Sequence, residues 1–283
     1  MGRQDNIEIF EDTLRLYKSN ERLISAIKHS SDVQECFTGT GRYWYGPEHR
    51  IYQKSAQVVV SSKRTLEAAA SYAYAGKKVC ILNFASSTNP GGGVIKGSSA
   101  QEEAICRCST LYPNLKEQNI WNTFYEPHRR AHAPLHNDDC IYTPGVVVFK
   151  SDTDYPQLLP EDTWYSVNVM TCAAPNLREQ PSNGMNSGDG DDAVHISREG
   201  LQALHEKRMC KVLEIAMAKG NEVVILGAFG CGAFRNPPSV VAQAMKTVVQ
   251  EYRMNFETIE LAVYCSTRYD TNYRVFQQVF GGM

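Results

Sequence analysis

The sequence has no excess of charge of either sign and no long hydrophobic run. Its 283 residues include 29 Lys and Arg against 31 Asp and Glu, a formal net charge of −2. Proteins that bind DNA, RNA or an anionic membrane along an extended surface usually show a clear basic excess. The longest apolar runs, such as residues 223–229, are too short to span a bilayer. These absences exclude bulk attraction to polyanions and a membrane-spanning helix, and they leave room for a small anionic ligand held by backbone groups.

The chain also shows no sign of export or of a disulfide framework. Its first residues contain no apolar segment of the kind found in export signals, and Asn6 stands where a myristoylation motif needs Ser or Thr. The nine cysteines are odd in number and scattered from Cys36 to Cys265, which is typical of buried free thiols in a reducing compartment. We therefore predict a cytoplasmic protein that is not attached to a membrane.

Several catalytic motifs are missing as well. There is no G-x-S-x-G elbow, no P-loop and no dinucleotide-binding fingerprint. His128, His132 and His136 have the spacing of ligands on one helix face, but Pro134 interrupts such a helix and no cysteine pair accompanies them at zinc spacing. We predict no metal site and no cofactor.

What the chain does have is an alternation of strands and helices. Apolar residues recur at steps of three and four over residues 7–30, which predicts an amphipathic N-terminal helical segment. Short apolar runs predict strands at 57–60, 79–84, 140–142, 146–149, 165–172, 223–226 and 259–265. Further helices are predicted at 65–74, from 98 to about 111, and at about 197–219 and 239–253. This alternation predicts a three-layer α/β/α domain without internal repeats.

Residues 181–192 are a polar stretch, Pro-Ser-Asn-Gly-Met-Asn-Ser-Gly-Asp-Gly-Asp-Asp, with almost nothing to bury. Such a composition fits either a mobile lid or a solvated insertion. We favour the solvated insertion.

The densest motif follows the predicted strand at 79–84. Asn89 and Pro90 precede Gly91, Gly92 and Gly93, and seven residues later come Gln101, Glu102 and Glu103. Consecutive glycines let the backbone approach a ligand and present N–H groups to its oxygens. The two glutamates fall in the first turn of a helix, where the helix dipole favours negative charge.

The same glutamates also have a purely structural explanation. Ser99 and Glu102 fit the S-x-x-E capping box, in which the carboxylate only caps the helix. Adjacent helical residues point about 100° apart, so the two carboxylates cannot address one bond in the same way. At most one of Glu102 and Glu103 is expected to act as an acid/base.

A second glycine-rich loop, residues 227–236, lies between the strand at 223–226 and a helix. A strand end, three glycines (Gly227, Gly230 and Gly232) and a helix N-terminus form an anion nest suited to a diphosphate. Phe234 in this loop is expected either to stack on a ribose or base or to belong to the core.

Together these residues resemble the poly(ADP-ribose) glycohydrolase family, in its compact microbial form built on a macrodomain. That family's signature is three glycines, six to eight residues and then Gln-Glu-Glu, and seven residues separate Gly93 from Gln101 here. The likeness includes residues 82–86, 108–112, 172–176 and 227–234, and it runs from about residue 50 to the C-terminus. It implies an α/β macrodomain with a mixed central sheet over residues 51–283 and an N-terminal helical extension over residues 1–50.

The resemblance also implies roles for single residues. Glu103 would be the catalytic residue, and Glu102 would hold the ribose hydroxyls at the scissile bond. Asn89 would be a ribose contact for which Ser86 competes, and Phe234 would pack on the distal ribose. The remaining predicted substrate contacts are Gly91, Gly92, Gly93, Gln101, Gly230, Cys231, Gly232, Ala233 and Asn236.

The function implied is hydrolysis of ribose–ribose O-glycosidic bonds in poly(ADP-ribose). Such a reaction passes through an oxocarbenium-like state that needs a proton for the leaving oxygen and an activated water, and Glu103 would serve both. The near-zero charge argues against gripping a long stretch of polymer and favours an enzyme that holds one terminal ADP-ribose unit and cleaves from the chain end. We predict a monomer whose partners are ADP-ribose, poly(ADP-ribose) and ADP-ribosylated macromolecules.

Two alternatives stay open. One is a hydrolase of mono-ADP-ribosylated protein or nucleic acid, and the other is a macrodomain that binds ADP-ribose without cleaving it. A non-catalytic reader has no use for an acid in the cleft, so Gln101, Glu102 and Glu103 favour the enzyme.

Overall fold

A single seven-stranded sheet forms the centre of the computed structural model, which describes residues 2–39, 48–266 and 270–282. The strands lie in the order β1-β4-β5-β3-β6-β7-β2. Strand β4 runs antiparallel to β1 and β5, and the other neighbours are parallel. The strands are β1 (Glu35–Phe37), β2 (Gln57–Ser61), β3 (Val79–Phe84), β4 (Cys140–Val148), β5 (Tyr165–Cys172), β6 (Val223–Leu226) and β7 (Thr258–Ala262). The predicted α/β fold with a mixed sheet is confirmed.

Ten α-helices surround this sheet within the described ranges. They are α1 (Arg3–Ser19), α2 (Glu21–Val33), α3 (Thr65–Tyr74), α4 (Gln101–Cys108), α5 (Leu111–Leu115), α6 (Gln118–Ile120), α7 (Glu126–Ala131), α8 (Arg198–Ala218), α9 (Pro238–Tyr252) and α10 (Thr271–Phe280). A π-helical turn at Trp121–Tyr125 joins α6 to α7, and short 3₁₀ turns lie at Val94–Lys96 and Glu161–Thr163. None of these helices combines the length and the apolar character that a membrane crossing needs.

The continuous apolar run of β3 is explained by burial on both faces. Cys80 and Leu82 pack in the core formed with α8, α9 and α10, whereas Val79 and Ile81 pack in the core formed with α3, α4 and α5. Side chains alternate across a strand, so a strand covered on both sides needs apolar residues at every position.

The N-terminal segment is helical, as its periodicity predicts, and it consists of two helices, α1 and α2. Asn20 ends α1 and caps α2, because its Oδ1 accepts the N–H of Leu23 at 3.1 Å. The chain then adds β1 to the edge of the sheet beside β4. Two side chains tie α1 to the rest of the protein: Asn6 Nδ2 donates to Gly97 O at 2.9 Å, and Thr13 Oγ1 donates to Arg107 O at 2.7 Å.

Other boundaries also shift. The strands predicted at 140–142 and 146–149 are one strand, β4, whose register with β5 slips between Thr143 and Val146. Gly145 takes a left-handed φ of 71° at this bulge. The last strand ends at Ala262, where residue 265 was expected. All nine cysteines are free thiols, as predicted.

Candidate active site

A cleft of about 1020 Å³ opens where the parallel strands end. Its lining includes one residue at or just beyond the carboxyl end of each parallel strand: Lys63 (β2), Phe84 (β3), Ala174 (β5), Ala228 (β6) and Ala262 (β7). Ligands of α/β sheets bind at this edge, because the loops that follow the strands converge there. Most of the predicted site residues border the cleft: Gly92, Gly93, Gln101, Glu102, Glu103, Gly230, Gly232, Ala233 and Phe234.

Glu102 is held beneath the first glycine loop, and only 3% of it is exposed. Its Oε2 accepts the N–H of Ser86 at 2.8 Å, and its Oε1 accepts Asn83 Nδ2 at 3.3 Å. The predicted capping box is not formed, since α4 is capped by Ala100 without a side-chain hydrogen bond. Burial, and then the charge of Glu103, raises the pKa of Glu102 well above its usual range.

Glu103 has the properties of a general acid. It is 7% exposed, and its Oε1 accepts the N–H of Gly93 at 2.8 Å. Its Oε2 is buried and has no hydrogen-bond partner within the described part of the chain. Burial raises the pKa of Glu103, and the Gly93 amide and the charge of Arg107 offset only part of that effect. A carboxyl that retains its proton beside a cleft can deliver it to a leaving group.

Gly92 lies directly over the two carboxyl groups. Its φ is +59°, and a Cβ at this position would stand 2.5 Å from Glu103 Oε1 and 3.0 Å from Glu102 Oε2. Both glutamates therefore approach the same glycine, although their hydrogen-bond partners differ. Only a residue without a side chain lets the loop close on these two acids.

Replacing Gly92 with Ala is expected to lower kcat/KM about 100-fold, because the added methyl group displaces the glycine loop or the carboxyl groups by more than catalysis tolerates. Steady-state kinetics on an ADP-ribose glycoside would measure the change. Gly184→Ala is the matched control, since a Cβ there meets nothing within 4 Å and its φ is not left-handed. A Gly92→Ala protein as active as Gly184→Ala would contradict the close fit.

The second glycine loop offers a nest of amides. The backbone N–H groups of Gly230, Gly232, Ala233 and Phe234 have no intramolecular acceptor among the described residues. Gly230 has a φ of +77°, a conformation that turns consecutive amides to one side. These donors face a cleft, as the binding of a diphosphate requires.

Residues 8–151, about half of the chain, match the model of the microbial-type PARG catalytic domain. The chain belongs to the microbial-type poly(ADP-ribose) glycohydrolase (PARG) family. The members of this family are glycohydrolases, and the cleft is therefore the candidate active site of an enzyme.

Solved PARG structures resemble the whole chain. The PARG of Thermomonospora curvata is 26% identical, with a TM-score of 0.81 over 98% of this chain and 100% of that chain. Its complex with the inhibitor ADP-HPD gives 27% identity and a TM-score of 0.78 over the same shares. The PARG of Deinococcus radiodurans, solved in complex with ADP-ribose, is 28% identical, with a TM-score of 0.73 over 90% of this chain and 97% of that chain. No curated protein sequence matches the chain.

The PARG signature glutamine, Gln101, has its side chain occupied within the protein. Its Oε1 accepts the N–H of Phe84 at 2.8 Å, and its Nε2 donates to Leu82 O at 2.7 Å and to Thr65 Oγ1 at 3.0 Å. The direct substrate contact that the resemblance implies for Gln101 stays a prediction. Gln101 joins the start of α4 to the end of β3 and so positions the two glutamates.

The side chain of Asn236 is also occupied within the protein, and its predicted substrate contact stays a prediction. It is buried outside the cleft lining, where its Nδ2 donates to Pro175 O at 2.7 Å and to Gly230 O at 3.1 Å. Its Oδ1 lies 2.9 Å from His205 Nε2. These contacts hold the second glycine loop in its bent shape, and they leave no polar atom of the side chain for substrate.

Cys231 also points away from the cleft. Its N–H donates to Ala228 O at 3.0 Å inside the turn, and the residue is not part of the cleft lining. Gly91 is likewise buried behind the lining, against the ring of Tyr112. The N–H of Cys231 is therefore already bonded within the turn, whereas the amides of Gly230 and Gly232 have no acceptor among the described residues.

Asn89 does not line the cleft either. Its Nδ2 donates to Ser187 O at 2.8 Å and to Thr88 Oγ1 at 2.9 Å, and its Oδ1 accepts from Arg129 Nη1 at 3.2 Å. Ser86, its predicted competitor for the ribose, does border the cleft. Asn89 is thus placed to join the first glycine loop to residues 181–192.

Residues 181–192 are not the solvated insertion that their composition predicts. The side chain of Asp189 is fully buried, with its Oδ2 3.2 Å from His136 Nε2 and 2.8 Å from the Nδ2 atoms of both Asn176 and Asn186. Burial alone would raise the pKa of Asp189, but the hydrogen bond and charge of His136 lower it to about 2. The polar residues of this segment are satisfied by one another and by the first glycine loop, a pairing that composition does not reveal.

The histidines predicted not to bind a metal lie in different environments. His128 lies between Phe124 O, 2.6 Å from Nδ1, and Asn137 Oδ1, 2.8 Å from Nε2. His132 ends α7 with a left-handed φ of 45°. Across residues 2–39, 48–266 and 270–282, no three His, Cys, Asp or Glu side chains come together as metal ligands would.

The part of the cleft beyond the ends of β2 and β7 was not anticipated from the sequence. It is bordered by Lys63, Arg64, Tyr264 and Asn272. The Arg64 guanidinium lies 3.9 Å from the centroid of the Tyr264 ring, which is 47% exposed. These residues follow strands that lie next to each other only in the folded sheet, so no local motif marks them.

Proposed function

We propose that this protein hydrolyses the ribose–ribose O-glycosidic bonds of poly(ADP-ribose) and releases ADP-ribose from the end of the chain. The observation that carries the proposal is the buried Glu103 carboxyl, with its raised pKa and one unpartnered oxygen, beside the cleft of a PARG-family chain. Structures of relatives have been solved in complex with ADP-ribose, and a ligand of that kind fits a cleft with carboxyls and an amide nest.

The terminal unit binds through both glycine loops. Its diphosphate accepts hydrogen bonds from the amides of Gly230 and Gly232–Phe234, and Phe234 packs on the distal ribose. Gly92 and Gly93 approach the same ribose closely because they carry no side chain. Glu102 binds the ribose hydroxyls through its carboxyl oxygens, which retain lone pairs beyond those used by Ser86 and Asn83.

Glu103 carries the proton transfers. Its protonated carboxyl gives a proton to the 2′-oxygen of the leaving ribose as the bond to the anomeric carbon breaks. The resulting carboxylate then takes a proton from the water that attacks that carbon, and this returns Glu103 to its starting state. One residue serves both steps, because Glu103 is the proton donor in the first step and the proton acceptor in the second.

The adenosine of the terminal unit lies at the other end of the cleft, beside Tyr264. An exposed aromatic ring can stack on a base, and Arg64 already covers part of the same ring. We also propose that residues 51–283 are the catalytic domain and that residues 1–50 are an extension. The contacts from Asn6 to Gly97 O and from Thr13 to Arg107 O support this role, because they brace both ends of the segment that carries the glutamates.

The proposal is tested by incubating the protein with poly(ADP-ribose) and, separately, with a mono-ADP-ribosylated protein, and separating the products by chromatography. We expect free ADP-ribose to be the main early product from the polymer. Early release of oligomers would contradict cleavage from the chain end. Release from the mono-ADP-ribosylated protein alone would favour the mono-ADP-ribosyl hydrolase, and ADP-ribose binding with no release from either substrate would contradict the proposed activity.

A further inference from the structure

Two arginines stand together at one end of the cleft. Arg178, which follows β5, donates from Nε to Ala233 O at 2.5 Å, and its Cζ lies 5.8 Å from the centroid of the Phe234 ring. Arg235 follows Phe234 directly, and its side chain also lines the cleft. Both guanidinium groups thus lie beside the second glycine loop.

Neither arginine is paired with a carboxylate in the part of the chain that the structure describes. Within the described ranges, no Asp or Glu oxygen comes within 4.0 Å of either guanidinium group. Burial, and next the charge of Arg235, lowers the pKa of Arg178, while Asp189 and Glu103 have the opposite effect. Two adjacent cations repel each other unless an anion lies between them. The pair is therefore arranged for an anionic ligand.

The backbone of Arg235 supports this interpretation. Its φ of +58° is left-handed, which is uncommon for a residue with a long side chain. Its N–H donates to Gly232 O at 3.1 Å within the turn, and Arg235 lines the same cleft as Arg178. Backbone strain of this kind persists where the surroundings require it, as at binding sites.

Arg178 and the pair Tyr264 and Arg64 follow strands on opposite sides of β3, the strand on which the helix of the glutamates packs. Arg178 follows β5, whereas Tyr264 follows β7 and Arg64 follows β2. The segment after β5 also passes over the first glycine loop: Met185 O would be 3.4 Å from a Cβ on Gly93, and Lys96 Nζ donates to Gly184 O at 2.7 Å. A substrate that spans the cleft from Tyr264 to Glu103 continues beyond the scissile bond into the arginine-lined region.

We infer that Arg178 and Arg235 form a subsite for the diphosphate of the polymer unit from which ADP-ribose is cleaved. This inference rests on the proposed function. In poly(ADP-ribose) the leaving oxygen belongs to an adenosine whose own diphosphate lies one ribose away, whereas a mono-ADP-ribosylated side chain carries no phosphate there. Paired guanidinium groups bind such an anion through several charge-assisted hydrogen bonds. The subsite makes the enzyme prefer a polymer to a modified side chain.

The test compares two substrates that share the terminal unit. One is poly(ADP-ribose), and the other is ADP-ribose with a neutral aryl leaving group on its anomeric carbon. Arg235→Asn removes the charge and keeps a residue that tolerates the left-handed conformation. We expect kcat/KM to fall about tenfold on the polymer and less than about twofold on the aryl substrate, with the Kd of ADP-ribose unchanged. The polymer effect should shrink at high salt.

Two further variants complete the comparison. Arg178→Gln is expected to show the same selective loss, and Lys28→Gln removes one charge from the exposed face of α2, away from the cleft, as the matched control. Equal losses on both substrates, or a weaker Kd for ADP-ribose with Arg235→Asn, would show that the arginines bind the terminal unit and would overturn the subsite alone. A wild-type protein that cleaves neither substrate would overturn the proposed function together with the subsite.

Discussion

Replacing Glu103 with Gln is expected to lower kcat for release of ADP-ribose about a thousandfold and to change the Kd of ADP-ribose less than about threefold. Glutamine keeps the size of the side chain and an oxygen to accept the Gly93 N–H, but it has no proton to give to the leaving oxygen and cannot deprotonate water. General acid–base catalysis contributes about 100- to 10,000-fold. Single-turnover kinetics and calorimetric titration with ADP-ribose would separate the two effects.

The pH dependence of the wild type provides a second measurement of the same residue. Burial raises the pKa of Glu103, so the acid form persists above the pH at which an exposed glutamate loses its proton. The rate should fall as the pH rises through that raised pKa. Stability has the same sign: the folded protein holds this proton more tightly than the unfolded chain, so this contribution is complete below the ordinary glutamate pKa and is lost as the pH rises.

The matched control for Glu103 is Glu199→Gln. Glu199 also lies in the first turn of a helix, α8, but it is exposed and lies outside the cleft. We expect its kcat to stay within about twofold of the wild type. A Glu103→Gln protein with full activity would contradict the assignment, and so would one that no longer binds ADP-ribose, because the loss would then lie in binding.

Replacing Arg208 with Leu is expected to lower the free energy of unfolding by about 3 kcal/mol or more. Arg208 is fully buried, and its guanidinium donates to Ala173 O at 2.9 Å, to His136 O at 3.0 Å and to Leu135 O. Its Nε lies 3.3 Å from Asp138 Oδ1. Leucine leaves these buried carbonyls without a donor. Urea denaturation would measure the change.

The neighbouring residue is a control for the lost charge. Lys207 pairs with Oδ2 of the same Asp138 at 2.5 Å, but its side chain is 52% exposed. We expect Lys207→Leu to cost less than about 1 kcal/mol, because an exposed ion pair is screened by water. Similar losses for the two variants would mean that Arg208 acts only as a counter-ion to Asp138, which would refute its role in joining the end of β5 to residues 135–136.

The features that the sequence predicted well are local ones. The alternation of short apolar runs and amphipathic segments predicts the α/β fold, because the hydrophobic period of a strand or a helix can be recognised from a few neighbouring residues. The glycine loops and the Gln-Glu-Glu motif place the cleft correctly for the same reason. Gly92 adopts a left-handed conformation next to Glu102 and Glu103, and all three residues belong to one strand–loop–helix unit of the sequence.

The errors arise where partners are far apart in the chain. Ser99 and Glu102 have capping-box spacing, yet Glu102 is taken up by Ser86 and Asn83, which approach only when α4 packs on β3. Residues 181–192 look solvated, yet Asp189 finds His136 more than fifty positions away. A polar side chain can be buried when buried groups form hydrogen bonds with it, and the local composition does not reveal which distant residues supply those groups.

The α/β class, the two glycine loops and the pair of acids at a helix start can be predicted from the sequence, because each follows from the conformational preferences of a few consecutive residues. Tertiary packing adds the contacts of Gln101 and Asn236 and the Glu103 oxygen that has no partner within the described residues. It also brings Arg178 and Arg235 close enough for their charges to interact. The burial and the charges of a site depend on which strands are neighbours in the sheet, because their loops supply the residues of the site. The order of the strands is set only when the sheet forms.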